Sequence, residues 1–167
     1  MKEAYFAGGC FWCISDYILS KCKNKVIDVI CGYSGGEEKD ATYELVKSQK
    51  SKHRETIKII YDETKISLHE LLDLYIEYVD ITDKDGQYID KGYSYTLALY
   101  YQNDYERNTY EKLVKSLPSP CYIKVESFAF FVKAEEYHQH FGNKNPEKLY
   151  NELIQSKRQC HLNLKNK

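Results

Sequence analysis

The sequence lacks three features that would place it in a broad functional class. No apolar run reaches the length of a membrane span, so we expect no transmembrane segment and no membrane partner. The formal net charge is only -1, which argues against a nucleic-acid partner. The apolar stretch after Met1-Lys2-Glu3 is too short for a signal-peptide core, so we expect a cytoplasmic protein.

Internal repeats, low-complexity segments and linkers are also absent from the sequence. A chain of 167 residues with 43% hydrophobic residues is long enough to bury one core. We therefore expect a single catalytic domain over residues 1–167, present as a monomer. The polar residues 157–167 are predicted to form a flexible tail.

Six cysteines without an export signal indicate reduced thiols rather than a disulfide framework. Most cysteines in such a protein pack as small apolar side chains, and Cys22, Cys31 and Cys121 fall in predicted helices and strands. A zinc site needs about four ligands. The sequence has no second closely spaced cysteine pair, and His138 with His140 is the only other cluster, so we expect no metal and no cofactor.

Hydrophobic periodicity and turn residues predict strands that alternate irregularly with helices. The predicted strands cover residues 3–7, 26–31, 56–61, 95–101 and 122–127, and the predicted loops cover residues 32–36 and 80–94. The predicted helices cover residues 10–21, 103–116 and 133–141, with two more opened by the Ser67…Glu70 capping box and by Asn145-Pro146. This order favours an α+β fold, a two-layer sandwich around a mixed, mostly antiparallel sheet with a ferredoxin-like core.

Cys10 follows two glycines at a predicted strand-to-helix turn. A cysteine in the first turn of a helix meets free N–H groups and the positive end of the helix dipole, which favour its thiolate. The adjacent Phe11 and Trp12 would form an apolar, aromatic slot that suits a methyl group or a sulfur atom. The pattern therefore indicates a nucleophilic or redox cysteine, and the alternative is a buried structural cysteine among core aromatics.

Cys13 completes a C-x-x-C spacing with Cys10, for which three interpretations remain open. The pair is a thioredoxin-like dithiol, half of a zinc site, or a helical cysteine that falls there by chance. A thioredoxin-like dithiol oxidoreductase using Cys10 and Cys13 is the alternative enzyme, although the βαβ pattern of that fold is absent from the sequence. A non-catalytic binder of methionine is a further alternative.

Several segments, in order and spacing, resemble the A-type peptide methionine sulfoxide reductases. Gly9-Cys10-Phe11-Trp12 resembles the G-C-F-W signature of that family. The later matching segments are Gly32-Tyr33-Ser34-Gly35-Gly36, Thr42-Tyr43-Glu44, His53-Arg54-Glu55 with Tyr61-Asp62, Asp90-Lys91-Gly92-Tyr93-Ser94-Tyr95, and Tyr137-His138-Gln139. The resemblance spans roughly residues 4–141.

The resemblance implies a role for each matching position. Cys10 would be the nucleophile, and Phe11 and Trp12 would hold the methyl group of the substrate. Glu55 would donate a proton or hydrogen bond to the sulfoxide oxygen. Tyr43 and Tyr95 would hydrogen-bond the same oxygen, and Asp90 would order the polar network. The family reduces the S epimer of methionine sulfoxide, free or in proteins, and is recharged by thioredoxin.

This chemistry explains why such residues belong together. A sulfoxide oxygen leaves only when protonated, and a desolvated carboxylic acid retains its proton near neutral pH. After attack, Cys10 becomes a sulfenic acid that a second thiol converts to a disulfide. We expect Cys160, in the predicted tail, to be that resolving thiol, with Cys13 as the alternative.

The sequence departs from the family pattern at a few positions. Cys13 replaces the common glycine after Trp12, Ile81 stands where proline is usual, and Thr96-Leu97 replaces Arg-Ser. These changes affect the rim of the predicted site and bear on substrate preference rather than on the reaction class.

Overall fold

The computed structural model describes residues 1–155, so Cys160 and the predicted tail lie outside the described residues. The strands are β1 (Lys2–Gly8), β2 (Val26–Ser34), β3 (Arg54–Tyr61), β4 (Gly86–Gln87), β5 (Asp90–Lys91), β6 (Leu97–Tyr101), β7 (Lys124–Ser127) and β8 (Phe131–Lys133). The helices are α1 (Phe11–Cys22), α2 (Tyr43–Lys47), α3 (Leu68–Tyr78), α4 (Asp104–Ser116), α5 (Phe141–Lys144) and α6 (Pro146–Gln155). Short 3-10 turns cover Lys23–Lys25, Tyr93–Tyr95 and Glu136–His138.

Six strands form one sheet in the order β7-β6-β1-β3-β2-β8. All neighbouring pairs are antiparallel except β6 with β7, which confirms the predicted α+β fold with a mixed, mostly antiparallel sheet. Strand β1 lies between β3 and β6, where Phe6 pairs with Ile57 on one side and Leu99 on the other. β4 and β5 form a separate two-stranded ladder.

Both faces of strand β1 are buried, by different partners. Ala4 and Phe6 belong to the main core with the helices, whereas Tyr5 packs on the other face, where its ring stacks on Phe128 at 4.0 Å. The Tyr75 hydroxyl of α3 donates a hydrogen bond of 2.7 Å to the Ala7 carbonyl at the end of β1. A buried donor and a buried acceptor satisfy each other in this way, and the strand end is held against the helix layer.

The expected loop over residues 32–36 is wrong in its first half, because Gly32 to Ser34 continue strand β2. These residues pair with β3 on one side and with β8 on the other, so their backbone groups are satisfied as a ladder. A Cβ atom at Gly32 would collide with the ring of Phe131. The glycine is therefore required by the close approach of the neighbouring strand.

The predicted helix over residues 133–141 is also wrong. This stretch contains the end of β8, a 3-10 turn over Glu136–His138 and the start of α5, with His140 in the left-handed region at φ 52°. Pairing with the edge of β2 outweighs the weak local helical pattern. Within residues 1–155, no helix is long and apolar enough to cross a membrane.

Candidate active site

The turn between β1 and α1 places Cys10 at the mouth of a small pocket. Gly9 adopts φ 84°, a left-handed conformation that glycine takes without strain, and the helix starts directly after Cys10. The Cys10 side chain is 7% exposed and lines a cavity of about 190 Å³. The predicted helix terminus is thereby confirmed, and Cys10, although it belongs to the buried core cluster, also lines a cavity.

Distant segments of the chain supply the other walls of this pocket. Tyr43 is the first residue of α2, Asp90 is the first of β5, and Tyr95 ends a 3-10 turn. The lining residues are Cys10, Phe11, Trp12, Tyr43, Lys47, Glu55, Asp90 and Tyr95. The pocket thus brings together all seven residues for which the sequence predicts a catalytic or substrate-binding role.

The two candidate resolving thiols are placed differently. Cys13 is 3% exposed in the first turn of α1 and belongs to the main hydrophobic core, outside the set of pocket-lining residues. Cys160 lies beyond the described residues. The five cysteines within residues 1–155 carry free thiols, and Cys31 donates weakly to the Phe11 carbonyl across 3.5 Å.

Glu55 is the second residue of β3 and is 3% exposed. Burial raises the pKa of the Glu55 carboxyl well above its usual range, and the neighbouring Cys10 adds to this shift. The Phe11 N–H at the start of α1 donates to Glu55 Oε2 across 2.9 Å, which opposes the shift only in part. The environment of the site therefore favours the protonated form of this carboxyl group.

Aromatic rings form the wall beside Cys10. Phe11 and Trp12 lie with their ring centres 6.4 Å apart, and Tyr43 lies 6.4 Å from each of them in a stacked orientation. The outer face of Trp12 stacks on Phe141 of α5 at 3.9 Å with an interplanar angle of 6°. Such a cluster fixes the indole plane and leaves an apolar surface suited to a methyl group.

The two tyrosines that line the pocket remain neutral hydrogen-bond donors. Burial is the main cause that raises the pKa of Tyr43 and of Tyr95, and the nearby Glu55 and Cys10 add to it. A phenol with a raised pKa donates a hydrogen bond without losing its proton. The pocket is therefore lined by one carboxyl group and two phenols whose protonated forms are favoured, together with the Cys10 sulfur.

The structure adds residues that sequence reasoning did not assign to the site. Trp12 Nε1 donates to His138 Nδ1 across 2.9 Å, so His138 fixes the indole from a fully buried position. Burial lowers the pKa of His138, in agreement with a neutral ring that accepts this bond. The Tyr137-His138-Gln139 motif was the available signal for His138, whereas no local pattern marks Lys47 as a pocket residue.

A second carboxylate supports the tyrosine side of the pocket. Glu135 accepts a hydrogen bond of 3.1 Å from the Tyr43 N–H and one of 2.9 Å from the Tyr33 hydroxyl. Gln49 exchanges two hydrogen bonds with Ser94, the residue before Tyr95. Both sets of hydrogen bonds link segments that are far apart in the sequence, so no local sequence pattern predicts them.

A second, larger cavity lies away from Cys10. A larger groove of about 540 Å³ runs between α3 and α4 along His69, Tyr105 and Lys112, and Cys10 is not part of it. Size alone does not identify an active site, whereas a nucleophile beside a perturbed acid does. Among residues 1–155, no three His, Cys, Asp or Glu side chains cluster as a metal site requires.

Sequence comparison decides between the families considered above. A profile described as peptide methionine sulfoxide reductase matches residues 2–167. The chain belongs to the peptide methionine sulfoxide reductase family. A relative from Lactococcus lactis, peptide methionine sulfoxide reductase MsrA 2, is 36% identical over 156 residues, which cover 87% of each chain. The MsrA of Bacillus licheniformis is 36% identical over 165 residues, covering 95% of this chain and 90% of the relative.

Solved structures of methionine sulfoxide reductases share the fold. Reduced Mxr1 from Saccharomyces cerevisiae superposes with a TM-score of 0.81 at 28% identity, covering 87% of this chain and 86% of that one. Methionine sulfoxide reductase A of Corynebacterium diphtheriae has a similar fold, with a TM-score of 0.80 at 22% identity over 87% and 75% of the two chains. Mxr1 in complex with Trx2 also matches, at a TM-score of 0.56 and 19% identity over 84% of each chain.

Family membership identifies this protein as a peptide methionine sulfoxide reductase and therefore as an oxidoreductase. Family membership argues against the two alternatives, a thioredoxin-like dithiol oxidoreductase and a non-catalytic methionine binder.

Proposed function

We propose that the protein reduces the S epimer of methionine sulfoxide, free or in proteins, by attack of the Cys10 thiolate on the sulfoxide sulfur. The observation that supports this most is the placement of Cys10 in one small pocket with Glu55, a carboxyl group whose pKa is raised by burial. A thiolate next to a proton donor suits a substrate whose oxygen must be protonated before it leaves.

The first step transfers one oxygen atom and two electrons. Glu55 gives its proton to the sulfoxide oxygen, and the Cys10 sulfur attacks the methionine sulfur. The Cys10 sulfur thereby becomes bonded to the methionine sulfur, which still carries the protonated oxygen. This oxygen then passes to the Cys10 sulfur as its bond to the methionine sulfur breaks, and the sulfur–sulfur bond breaks as methionine leaves as a thioether, so that Cys10 ends as a sulfenic acid. Methionine sulfoxide is thereby reduced by two electrons and Cys10 is oxidised by two.

The contact between Glu55 and α1 supports one position for the proton of the acid. Oε2 accepts the Phe11 N–H, and the carbonyl oxygen of a carboxylic acid is its better acceptor. We therefore expect the acidic hydrogen on Oε1, from which it is donated to the substrate. Proton transfer leaves a carboxylate on which the same N–H still donates, which stabilises the charge that develops.

The other pocket residues orient the sulfoxide. Phe11 and Trp12 take the methyl group, and Tyr43 and Tyr95 donate to the sulfoxide oxygen alongside Glu55. Asp90 orders the polar side of the pocket. Three fixed donors on one oxygen and an aromatic surface for one methyl select a single epimer at sulfur.

A second thiol then regenerates the enzyme. Cys160 condenses with the Cys10 sulfenic acid, water leaves, and a dithiol such as thioredoxin reduces the disulfide. Cys13 is not among the residues that line the pocket, which favours Cys160 over Cys13. Yeast Mxr1, which has the same fold, has been solved in complex with Trx2. Reduced cysteines of this kind agree with a cytoplasmic location.

A dithiothreitol-driven assay on the separated S and R epimers tests this function. The unmodified enzyme should reduce the S epimer, and Cys10→Ser should abolish turnover. Cys121→Ser is the matched control, because Cys121 is half-buried and lies outside the pocket. A Cys10→Ser protein that still produced methionine would refute the catalytic assignment, and turnover of the R epimer alone would refute the epimer preference.

The resolving thiol is tested by peptide mapping under non-reducing conditions after one turnover with excess sulfoxide. We expect a peptide that joins Cys10 to Cys160. A dominant Cys10–Cys13 peptide would instead assign the second step to Cys13, and Cys160→Ser would then retain recycling by thioredoxin.

A further inference from the structure

Arg54 is a buried charge beside the catalytic acid. It directly precedes Glu55 on β3 and is only 3% exposed. Burying an arginine is costly unless its donors are paired. The Arg54 pairs therefore show which parts of the protein its placement holds together.

One side of the guanidinium holds the turn that carries Tyr95. Arg54 Nε donates to Thr96 Oγ1 across 2.8 Å, and Thr96 directly follows Tyr95. The guanidinium carbon also lies 4.6 Å from the ring centre of Tyr93, the first residue of that turn. Arg54 therefore contacts the first residue of the three-residue turn and the residue that directly follows it.

The other side of the guanidinium is anchored in the sheet. Arg54 Nη1 donates to Glu126 Oε2 of β7 across 3.0 Å and to the Tyr100 hydroxyl of β6 across 3.1 Å. The Tyr100 hydroxyl in turn donates to the Ser34 carbonyl at the end of β2. A planar guanidinium paired along both edges has little freedom to rotate, so its contacts on the turn are rigid.

We propose that Arg54 is a positioning residue that sets the distance between the Tyr95 phenol and Glu55. The inference rests on the proposed function, in which both groups donate to one sulfoxide oxygen. Glu55 is the chain neighbour of Arg54, and Tyr95 is the chain neighbour of Thr96, so one hydrogen bond ties the two donors together. The Thr96 hydroxyl supplies the acceptor for this bond.

An exposed cation on the same ring provides a matched control. Lys52 Nζ lies 5.0 Å from the centre of the Tyr93 ring, but Lys52 is exposed. Of these two cations on Tyr93, Arg54 is the one bonded to Thr96. If a cation on the Tyr93 ring were enough to position the turn, the loss of Lys52 in Lys52→Met would lower activity as strongly as the loss of the Arg54–Thr96 bond.

The test removes the hydroxyl and not the arginine, because loss of Arg54 would also leave Glu126 without its partner. The Thr96 hydroxyl also donates to the Tyr93 carbonyl across 2.7 Å, so its removal breaks the link to Arg54 and one bond within the turn. Thr96→Val should lower kcat for methionine S-sulfoxide roughly tenfold with little change in KM, since a misplacement of about 1 Å can cost about 10²-fold in rate. Thr96→Ser keeps the hydroxyl and should retain activity, and Lys52→Met should match the unmodified enzyme. Thermal melting checks that each variant is folded.

A double-mutant cycle with Tyr95→Phe separates positioning from general damage to the fold. If Thr96 acts through the Tyr95 phenol, Thr96→Val should cost nothing further once that hydroxyl is gone. Full additivity of the two losses, or equal losses in Thr96→Ser and Thr96→Val, would overturn the positioning role and leave the proposed function intact. If Tyr95→Phe alone left kcat unchanged, the proposed role of Tyr95 would fail, and the positioning role with it.

Discussion

Helices α1 and α3 lie side by side on the sheet, yet their first turns are stabilised in opposite ways. The N-terminus of α3 is satisfied locally: Ser67 Oγ accepts the Glu70 N–H across 3.2 Å, and Glu70 Oε2 accepts the Ser67 N–H across 2.8 Å. The first turn of α1 has no acidic residue, and the Phe11 N–H is bound by Glu55, 44 residues further along the chain.

The two carboxyl groups respond to these positions with opposite pKa shifts. Glu70 is exposed, and hydrogen bonds from the Ser67 backbone and hydroxyl lower its pKa. Glu55 is buried, and desolvation raises its pKa despite the bond from Phe11. A carboxyl that caps a helix within its own turn stabilises the helix as an anion, whereas one that reaches it across the core remains an acid able to donate a proton.

Among the variants that distinguish the N-termini of α1 and α3, Glu55→Gln is expected to have the largest effect on activity. The amide oxygen still accepts the Phe11 N–H, so the fold should persist, but the proton donor is lost. We expect kcat for methionine S-sulfoxide to fall by about 10²- to 10⁴-fold, the usual contribution of general acid catalysis. Glu70→Gln is the matched control and should leave kcat unchanged. Equal activity of the two variants would remove Glu55 from the mechanism.

A smaller loss of activity is expected when the hydrogen bond between Trp12, in the first turn of α1, and the distant His138 is removed. His138→Phe removes the acceptor for the Trp12 indole while conserving an aromatic ring. We expect KM to rise roughly tenfold, because the loss of one buried hydrogen bond costs about 1–2 kcal/mol and frees the wall that holds the methyl group. Steady-state kinetics on the S epimer measure this. A fall confined to kcat would place His138 in the chemical step instead.

The pH dependence of folding should also differ in sign between the two carboxyls. The pKa of Glu55 is raised, so its contribution to stability is complete below its ordinary value of 4.5 and is lost as the pH rises through the folded pKa. The pKa of Glu70 is lowered, so its contribution is complete above 4.5 and is lost as the pH falls through the folded pKa.

Urea unfolding from about pH 3 to pH 8 measures both slopes. Glu55→Gln should flatten the loss of stability above pH 4.5, and Glu70→Gln should flatten the loss below it. The Glu70 effect is the smaller of the two, because solvent screens an exposed carboxylate. A Glu55→Gln protein with the pH profile of the unmodified enzyme would show that the acid is not held neutral.

Sequence patterns predict those elements that are stabilised locally. The α3 capping box and the Asn103 cap of α4, whose side chain accepts the Glu106 N–H across 2.9 Å, lie where the pattern places them. Helix α2 is missed because five residues are too short for a periodic pattern. The end of β8 is mistaken for helix because its structure depends on β2, about a hundred residues earlier in the chain.

Within the candidate site, too, residues with a local sequence signal are predicted from it and residues placed by distant segments are not. Cys10, with its aromatic neighbours, is recognisable from a local glycine turn and the helix that follows. Glu55 carries no local signal, and family motifs alone point to it. Arg54 and Lys47 are missed because their roles depend on which distant segments the sheet brings next to them.

The smallest expected effect is on stability, at the N-terminus of α3, which is capped by its own first turn. Ser67→Ala removes the cap of α3, which should cost about 1 kcal/mol of unfolding free energy and lower Tm by about 2–4 °C. Helix α3 contributes no residue to the catalytic pocket, so kcat and KM should not change. Calorimetry and steady-state kinetics on the same preparation allow a direct comparison. Ser67→Ala should lose stability and keep activity, whereas Glu55→Gln should stay folded and lose activity. A Ser67→Ala enzyme with lowered kcat would show instead that α3 transmits its disorder to α1, since the two helices pack against each other.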